Sequence, residues 1–312
     1  MKILVTGAAG FIGRNLVEEL AKSDIDIIAV DSLNDLLYSK ALKLDNFHYL
    51  SKLKNVQCYQ ADSSNLPRLK VFDDFDVIVN LAALPGQKLS WENLDLYIEN
   101  NLLNLNQLIR RYCLAKPCYL IQASTSSVYG TQAVHIDSTL QLNPGNPYGV
   151  SKLAAEKLIE SYSENFNVKY SILRFFSVYG PYQRPDMGVT KFIDGLLNQT
   201  PIDVYGDGSQ TRSLTYVKDA AMAIISSIQI QPTNLIIDVS GSRKYSVREI
   251  IQSCEQILNK KAILRYCEKP PGDQMHTLGN VKLMQTVLNI SQYTSLEVGL
   301  QEQIKVMQMK AR

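Results

Sequence analysis

A glycine-rich turn near the start of the chain limits its fold more than any other feature. Residues Gly7–Gly13 read Gly-Ala-Ala-Gly-Phe-Ile-Gly, directly after the apolar run Ile3–Thr6 and before a segment of helical periodicity. Glycines at these positions allow a tight turn, a close approach of backbone to a pyrophosphate and close packing of helix on strand. The amides and the dipole at the start of the helix then favour phosphate groups. The turn therefore predicts a strand–turn–helix unit that binds a dinucleotide.

Short apolar runs alternate with helical patterns through the first half of the chain. These runs lack period-two alternation, as expected when helices cover both faces of a parallel sheet. The pattern predicts an α/β fold with a Rossmann-type doubly wound parallel sheet and right-handed crossovers. The predicted strands are Ile3–Thr6, Ile25–Val30, Val56–Tyr59, Val77–Leu81, Tyr119–Ala123 and Lys169–Phe175. The predicted helices are Gly13–Ser23, Leu94–Cys113 and one that runs from Tyr148 to Asn165.

The chain changes character after residue 176, where a loop-like stretch, Gly-Pro-Tyr-Gln-Arg-Pro, begins at Gly180. Residues 1–176 are predicted to form the nucleotide-binding domain. Residues 177–312 are predicted to form mainly a smaller C-terminal α/β cap that binds the substrate. The apolar run Leu235–Val239 is expected to return to the main sheet as a further strand.

Composition argues against several classes of function. The 312 residues are 46% hydrophobic and 20% charged with a net charge of +2, so neither nucleic acid nor a membrane surface is expected as a partner. The chain shows no signal-peptide pattern and no run of about 18 apolar residues. Its five cysteines lack metal-like pairing, which predicts reduced thiols in a cytoplasmic protein. No metal site is expected, and His48, His135 and His276 are interpreted as structural or surface residues.

An acidic residue at the end of the second predicted strand indicates which dinucleotide binds. Asp31 lies roughly 20 residues after Gly13, where a carboxylate accepts hydrogen bonds from the adenosine ribose and repels a 2′-phosphate. This favours NAD over NADP, although Arg14 could pair with a 2′-phosphate. Asp62 could bond the adenine amino group or cap the next helix. The small side chain of Ala82 would let backbone approach the cofactor.

Tyr148 and Lys152 are four residues apart, so both side chains leave the same face of a helix. A lysine ammonium beside a phenol stabilises the phenolate and can lower its pKa from about 10 toward working pH. The phenolate could then take a proton from a sugar or alcohol hydroxyl. The hydroxyls of Ser124–Ser127, after the fifth predicted strand, should point into the same crevice and orient or relay that proton. We therefore predict Tyr148, Lys152, Thr125 and Ser126 as catalytic residues.

These motifs and others farther along resemble the extended short-chain dehydrogenase/reductase family, and within it the nucleotide-sugar epimerases and dehydratases. The matching segments agree in order and spacing: Gly7–Gly13, Asp31, Leu81–Ala83, Tyr97–Asn101, Ser124–Gly130, Tyr148–Lys152, Arg174–Pro181, Val204–Gly208, Gln210–Arg212, Tyr216–Asp219, Pro271–Asp273 and Ser295–Leu300. The resemblance implies bound NAD, a UDP-sugar substrate and a homodimer built from the helices Leu94–Cys113 and Tyr148–Asn165. It also implies that Asn101 supports the architecture near Lys152.

The turn after the fifth strand distinguishes between members of that family. Its dehydratases carry an Asp-Glu pair at the positions of Ser126 and Ser127, and related decarboxylases carry a glutamate at the second position. The hydroxyls of this chain cannot act as carboxyl acids near neutral pH, so the turn argues against both reactions. The segments Asp31–Lys43 and Arg184–Met187 look like those of UDP-glucuronate 4-epimerases, whose loop arginine holds the substrate carboxylate. Arg184 could instead pair with the aspartate two residues on, or with solvent.

The resemblance therefore predicts an NAD-dependent 4-epimerase that converts UDP-glucuronate to UDP-galacturonate through a transient 4-keto sugar, with Tyr148 as base. The alternatives are a 4-epimerase of UDP-glucose or UDP-N-acetylglucosamine, a related nucleotide-sugar reductase, and a non-catalytic NAD-binding scaffold. Serine is commoner than arginine at position 14 in the family, and such departures leave the fine specificity open.

The predicted site residues fall into two sets besides the catalytic ones. The predicted cofactor contacts are Gly7, Gly10, Phe11, Ile12, Gly13, Asp31, Asp62, Ala82, Asn101, Ser124, Tyr148 and Lys152. The predicted substrate contacts are Pro85, Thr125, Ser126, Ser127, Ser177, Arg184, Val189, Tyr205, Arg212 and Asp273. Among the latter, Arg212 is expected at the UDP phosphates, and Ser177, Val189 and Tyr205 on the uridine side.

Overall fold

The structure, a computed structural model, describes residues 1–63, 65–66, 70–134, 141–270 and 272–310. His135 and Pro271, named above, lie outside the described residues. The strands are β1 (Lys2–Thr6), β2 (Asp26–Asp31), β3 (Val56–Gln60), β4 (Val77–Asn80), β5 (Tyr119–Thr125), β6 (Gln132–Val134), β7 (Lys169–Phe175), β8 (Val178–Tyr179), β9 (Ile202–Tyr205), β10 (Thr211–Ser213), β11 (Thr215–Tyr216), β12 (Leu235–Val239), β13 (Lys244–Ser246), β14 (Leu264–Cys267) and β15 (His276–Leu278). The helices are α1 (Phe11–Leu20), α2 (Lys40–Leu50), α3 (Gln87–Glu92), α4 (Leu94–Ile98), α5 (Asn104–Leu108), α6 (Pro147–Phe166), α7 (Gly188–Asn198), α8 (Val217–Ile230), α9 (Val247–Leu258), α10 (Lys282–Thr286) and α11 (Leu296–Lys310).

Seven strands form one sheet in the order β12-β7-β5-β4-β1-β2-β3, and every neighbouring pair is parallel. The chain runs outward from β1 to β3 and then returns to place β4 on the other side of β1. A crevice opens beyond the carboxyl ends of the strands where the order reverses in this way. The predicted doubly wound α/β fold is confirmed. Strand β12, from the C-terminal half of the chain, pairs with β7 and completes the edge of the sheet.

Successive side chains of the central strand β1 pack into two different apolar clusters. Ile3 and Val5 join the cluster that includes residues of α1 and α8, whereas Leu4 joins the one that includes residues of α5 and α6. All three side chains are fully buried. Because neighbouring side chains of a strand point to opposite faces, both faces of the sheet are covered here. This explains why the run is apolar throughout.

Helix α6, which carries Tyr148 and Lys152, has clear start and stop signals. The side chain of Asn146 accepts a hydrogen bond from the amide of Gly149 at 2.9 Å, and a proline takes the first helical position. At the other end Asn167 adopts a left-handed backbone with φ 57°, which ends the helix. The cap therefore fixes Tyr148 in the first turn of a rigid helix.

Two predicted helices differ in detail from the observed ones. Helix α1 begins at Phe11, two residues earlier than predicted, because Gly10 already serves as its N-terminal cap. The helix predicted at Leu94–Cys113 is divided, since α4 and α5 alternate with π-helical turns at Glu99–Leu103 and Ile109–Cys113. Such turns often occur near functional sites, and the first of them carries Asn101.

The other strands form three small sheets, with the orders β13-β10-β15-β6, β11-β8 and β14-β9. All but β6 come after residue 176, and they supply several of the residues of the site described below. Among the helices that the structure describes, none has both the length and the apolar character needed to cross a membrane.

Candidate active site

Two adjoining cavities lie where the strand order reverses. The first has a volume of about 420 Å³ and is lined by the glycine turn, the ends of β2, β4 and β5, and residues of α6. The second has a volume of about 500 Å³ and is lined by residues from the C-terminal half of the chain. The residues that line both are Ser177, Val178, Met187, Arg212 and Asp273. The cavities therefore share a wall and form two halves of one cleft.

Most of the predicted site residues line this cleft. The first cavity is lined by Gly7, Gly10, Phe11, Ile12, Gly13, Asp31, Asp62, Ala82, Pro85, Ser124, Thr125, Ser126, Ser127, Tyr148, Lys152, Ser177, Arg184, Arg212 and Asp273. The second is lined by Ser177, Val189, Tyr205, Arg212 and Asp273. Asn101 lines neither cavity.

The glycine turn has a backbone that other residues would not tolerate. Gly7 has φ +66°, and a Cβ added to it would lie 2.8 Å from the backbone nitrogen of Ala82. A Cβ at Gly13 would collide with the carbonyl oxygen of Gly7. The turn therefore packs directly against the end of β4 and leaves its backbone open to the first cavity. This cradle fits the pyrophosphate of a dinucleotide.

Asp31 lies at the end of β2 with its carboxylate anchored by two backbone amides. Its Oδ2 accepts from Ala9 at 3.0 Å and its Oδ1 from Leu33 at 2.8 Å. Burial raises the pKa of Asp31, and these amides together with the charge of Lys43 oppose that rise. Each carboxylate oxygen has a second lone pair for a ribose hydroxyl. The position agrees with the predicted preference for a ribose without a 2′-phosphate.

Lys43 lies at the same end of the cavity and had been given no role in the sequence analysis. Its Nζ donates to the backbone oxygen of Asn34 at 2.7 Å and to the side-chain oxygen of the same residue at 3.0 Å. Burial lowers the pKa of Lys43, while the charge of Asp31 raises it. The only signal in the sequence was its place at the end of the segment Asp31–Lys43.

Arg14 points away from the first cavity, although it directly follows the glycine turn. Its NH1 pairs with Glu18 at 2.9 Å, and its guanidinium carbon lies 3.2 Å from the ring centre of Tyr182. The side chain is 3% exposed and does not line the cleft. The alternative in which Arg14 binds a 2′-phosphate therefore has no support in this geometry.

Tyr148 and Lys152 both line the first cavity. Burial raises the pKa of Tyr148, and a hydrogen bond with Thr125 and the charge of Arg184 lower it. The net shift is upward, opposite to the predicted direction, and the effect of Lys152 on the phenol stays a prediction. Lys152 is itself 2% exposed, and burial lowers its pKa to about 8, with Glu156 opposing. Desolvation therefore acts against the charged form of both groups.

The short turn Ser126–Tyr129, which follows β5, is fixed by hydrogen bonds with Thr125 and Gln274. The Oγ1 of Thr125 accepts from the amide of Ser127 at 3.1 Å and so caps a short 3-10 turn. Gln274 donates to the carbonyl oxygens of Ser126 at 3.1 Å and Gly130 at 2.8 Å, and it accepts from the Ser126 hydroxyl at 3.3 Å. Gln274 is buried, lines the first cavity and was missed by the sequence analysis. Its only signal was that it directly follows the Pro-Gly-Asp motif.

A buried charge network lies directly behind the first turns of α6. The Ser124 hydroxyl donates to Glu156 at 2.5 Å, and Arg174 binds both oxygens of Glu156 at 3.0 and 2.6 Å. Arg174 also donates to the Tyr129 hydroxyl at 2.6 Å, which in turn donates to Asp238 of β12 at 2.7 Å. The network therefore joins β5, α6, β7 and β12. Ser124 lines the cavity, but its hydroxyl proton is already donated to Glu156.

Asn101 supports the wall of the cleft from behind. It accepts from the amide of Leu84 at 2.7 Å, donates to the carbonyl of the same residue at 3.1 Å, and donates to the Ser151 hydroxyl at 3.0 Å. Asn101 therefore lies behind the lining of both cavities, and its predicted contact with the cofactor stays a prediction. Its links from the π-helical turn to α6 agree with the support near Lys152 that the resemblance implied.

Two arginines of the cleft already have acidic partners. Arg184 binds Asp186 through Nε at 3.0 Å and NH2 at 2.9 Å, which was the alternative noted for it. Arg184 lines the first cavity and Asp186 the second, so the aspartate holds the guanidinium from the far side. The remaining N–H groups stay available on the guanidinium. Arg212 likewise donates to Asp273 at 2.9 Å, and both line both cavities.

Comparisons with known proteins agree with this geometry. The model of the "NAD dependent epimerase/dehydratase family" matches residues 3–237. A Bacillus subtilis (strain 168) protein named "Uncharacterized UDP-glucose epimerase YtcB" is 36% identical over 310 residues, which cover 97% of each chain. The UDP-glucuronate 4-epimerase of Thermodesulfobacterium geofontis (strain OPF15) is 34% identical over 308 residues, 96% of this chain and 94% of that one. The crystal structure of the UDP-glucuronic acid 4-epimerase from Bacillus cereus in complex with UDP-glucuronic acid and NAD has a TM-score of 0.94 at 34% identity and covers 99% of this chain and 100% of that chain.

Proposed function

The chain belongs to the NAD-dependent epimerase/dehydratase family, and on this premise we propose that it is an NAD-dependent 4-epimerase that interconverts UDP-glucuronate and UDP-galacturonate. One observation carries the choice of sugar: the guanidinium of Arg184 lines the same cavity as Tyr148 and Thr125. A cation at that place suits a sugar carboxylate next to the reacting carbon. The likeness to the Bacillus cereus enzyme in complex with UDP-glucuronic acid supports the same substrate.

The residues of the first cavity suit reversible oxidation at C4 of the sugar. Bound NAD supplies the acceptor and donor of hydride. Tyr148, as the phenolate, takes the proton of the sugar 4-hydroxyl and later returns it. The hydrogen bond with Thr125 and the charge of Arg184 favour this form against the burial that disfavours it. Lys152, one turn along α6, holds the nicotinamide ribose. The turn carries serines where elimination would need carboxyl groups, which favours epimerisation without net loss of water or carbon dioxide.

The second cavity is the proposed site of the uridine diphosphate. Arg212 lies on the shared wall, where its free N–H groups can bind a pyrophosphate oxygen while Asp273 keeps the side chain oriented. Ser177, Val189 and Tyr205 line the cavity that would take the nucleoside. This arrangement leaves the sugar in the first cavity, beside Tyr148.

Proton NMR of the purified protein with UDP-glucuronate tests the proposal. We expect the signals of UDP-galacturonate to grow without added NAD, because the cofactor is regenerated in each turnover and stays bound. Denaturing the protein and measuring the released nucleotide by mass spectrometry should give NAD. An unchanged UDP-glucuronate spectrum with NAD present in the protein would reject this substrate.

A 4-epimerase of UDP-glucose is the second candidate. The ion pair of Arg184 with Asp186 supports it. Because the aspartate neutralises the guanidinium, an uncharged sugar can bind in the cavity without leaving an unpaired cation beside it. The name of the Bacillus subtilis relative points the same way. Parallel reactions with UDP-glucose and UDP-N-acetylglucosamine, each with and without NADH, separate these epimerases from a reductase. Turnover of any of them excludes a non-catalytic scaffold.

We also propose a homodimer. Exposed apolar side chains lie on the two helical segments that the resemblance assigned to the interface, namely Leu94, Leu103 and Val150, and one more, Phe166, lies at the end of α6. Burying them against a second copy would remove apolar surface from water. Light scattering after size exclusion should give twice the mass of the 35.1 kDa chain, and a monomer mass at micromolar concentration would contradict the proposal. The location in the cytoplasm stays a prediction.

A further inference from the structure

A buried arginine links the helix of the nucleotide site to the loop that carries Arg184. We propose that Arg14 is a positioning residue that fixes the loop Gly180–Met187 through Tyr182 and thereby sets the affinity for the substrate carboxylate. The inference rests on the proposed function, because it concerns how Arg184 meets that carboxylate.

Arg14 is buried, and its guanidinium contacts Glu18, Tyr49 and Tyr182. Its guanidinium carbon lies 3.2 Å from the ring centre of Tyr182 and 4.5 Å from that of Tyr49. Its NH1 pairs with one oxygen of Glu18 at 2.9 Å, and the other oxygen accepts from the Tyr49 hydroxyl at 2.5 Å. Its Nε has no hydrogen-bond partner within the described part of the chain. A cation over an aromatic face is attracted more strongly when water is excluded, so the contact with Tyr182 is the main link from this cluster to the loop.

Tyr182 has a backbone conformation that needs such support. Its φ is +66°, in the left-handed region that a bulky residue seldom adopts. A strained residue of this kind persists only when its surroundings hold it. Tyr182 lies two residues before Arg184, so its conformation decides where the chain presents that guanidinium.

Other contacts fix the beginning of the loop and the side chain of Gln183, and the Nζ of Lys310 also lies 5.1 Å from the ring centre of Tyr182. The side chain of Asn15, next to Arg14 on α1, donates to the carbonyl of Pro181 at 3.1 Å. The amide of Gly180 donates to Gln303 of α11 at 2.9 Å. Helix α1 starts at the glycine turn, so the same short helix contacts the nucleotide cradle and the substrate loop. Removing Arg14 should therefore loosen the backbone around Tyr182, and leave in place the start of the loop and the hydrogen bonds of Gln183.

The kinetic consequence follows from the loss of a preformed binding geometry. When only a fraction of the molecules present Arg184 correctly, the apparent affinity for the uronate falls by that fraction. The residues proposed to carry the chemistry, Tyr148 and Thr125, lie on other elements, so turnover of the bound substrate should persist. A neutral UDP-hexose makes no pair with Arg184 and should be affected little.

The test compares Arg14→Ser with the matched control Arg243→Ser, whose side chain is 68% exposed. For Arg14→Ser we expect the KM for UDP-glucuronate to rise about 2- to 30-fold, the range that cation–π contacts from exposed to desolvated correspond to. We expect kcat, the KM for UDP-glucose and the NAD content to stay near those of the parent protein. Equal rises of KM for both sugars, or a fall of kcat alone, would overturn the proposal.

Hydrogen exchange of the loop gives a readout that does not depend on the substrate. The amides of Tyr182, Gln183 and Arg184 should exchange faster in Arg14→Ser and Tyr182→Ala, and at the parental rate in Arg243→Ser and Tyr182→Phe, because phenylalanine keeps the ring. The amide of Gly180, which donates to Gln303, should keep the parental rate in all four variants. Unchanged exchange in the first two variants would refute the positioning role even if the parent enzyme acts on UDP-glucuronate. A parent enzyme that leaves UDP-glucuronate unchanged rejects the proposed function instead. If Arg14→Ser does not fold, the two Tyr182 variants carry the comparison.

Discussion

Glu156 of α6 and Arg174 of β7 form a two-point ion pair, with Nε to Oε1 at 3.0 Å and NH2 to Oε2 at 2.6 Å. Their side chains are 1% and 9% exposed. Glu156 stands one helical turn after Lys152, and the Ser124 hydroxyl donates to it. The pair therefore connects α6 with the neighbouring strands β5 and β7 of the sheet.

Replacing Glu156 by Gln should lower the free energy of unfolding by about 3–5 kcal/mol, because a buried arginine then loses its charged partner. Glu160→Gln on the same helix is the control, since its pair with Lys157 is exposed on the lysine side and should contribute about 0.2–1 kcal/mol. Urea denaturation at neutral pH measures both. Equal decreases in the free energy of unfolding of the two variants would show that the buried pair stabilises the fold no more than the exposed one.

Replacing Tyr148 by Phe should lower kcat by about 10²- to 10⁴-fold while NAD stays bound, since only the proton-transferring oxygen is removed. Tyr162→Phe is the matched control, because that phenol lies on the same helix but donates to Asn106 outside the cleft. Steady-state kinetics and mass spectrometry of the retained nucleotide provide the two readouts. Near-parental kcat in Tyr148→Phe would remove the phenol from the mechanism.

The lowered pKa of Lys152 predicts how stability depends on pH. Its pKa in the folded protein is about 8, below its ordinary value of 10.5, so the unfolded chain binds more protons between those pH values. The parent protein should therefore gain stability as pH rises through this window, and Lys152→Met should lack that gain. The free energy of unfolding of Lys152→Met minus that of the parent should therefore decrease by about 3 kcal/mol between pH 7 and 10.5.

Urea midpoints at four pH values across the window measure this difference. Lys157→Met is the control, because its side chain is 59% exposed and its charge is hydrated in both states. Its difference from the parent should stay flat. A flat difference for Lys152→Met as well would mean that the buried lysine is not destabilised by its charge.

Replacing Arg184 by Gln should reduce kcat/KM for UDP-glucuronate by about 10- to 100-fold and that for UDP-glucose far less, since a charge-assisted contact is lost only with the uronate. Arg212→Gln is the comparison, because a contact with the pyrophosphate should matter equally for both sugars. Kinetics with the two substrates give a selectivity ratio for each variant. If Arg184→Gln left that ratio unchanged, the arginine would serve only its pair with Asp186.

Patterns of short range were sufficient to predict the fold. Apolar runs without alternation located the strands, and the glycine turn located the first crossover, since both depend on neighbours within a few residues. The division of Leu94–Cys113 by two π-helical turns escaped prediction, because the i→i+5 hydrogen bonds that define them are a local variation that the broad helical pattern does not distinguish.

The residues of the site show the same difference between what local sequence patterns predict and what they do not. The sequence by itself determined which elements carry the reactive side chains, namely the turn after β5 and the first turns of α6, because caps, glycines and spacings act locally. Only the tertiary structure decided their partners. Gln274 accepts a hydrogen bond from Ser126, which lies 148 residues away in the chain. Asp186 binds the guanidinium of Arg184, and Arg14 contacts Tyr182 in the loop Gly180–Met187 and not the nucleotide cavity. Burial likewise reversed the expected direction of the Tyr148 pKa, since desolvation depends on everything packed around a group and not on the residue four places along the helix.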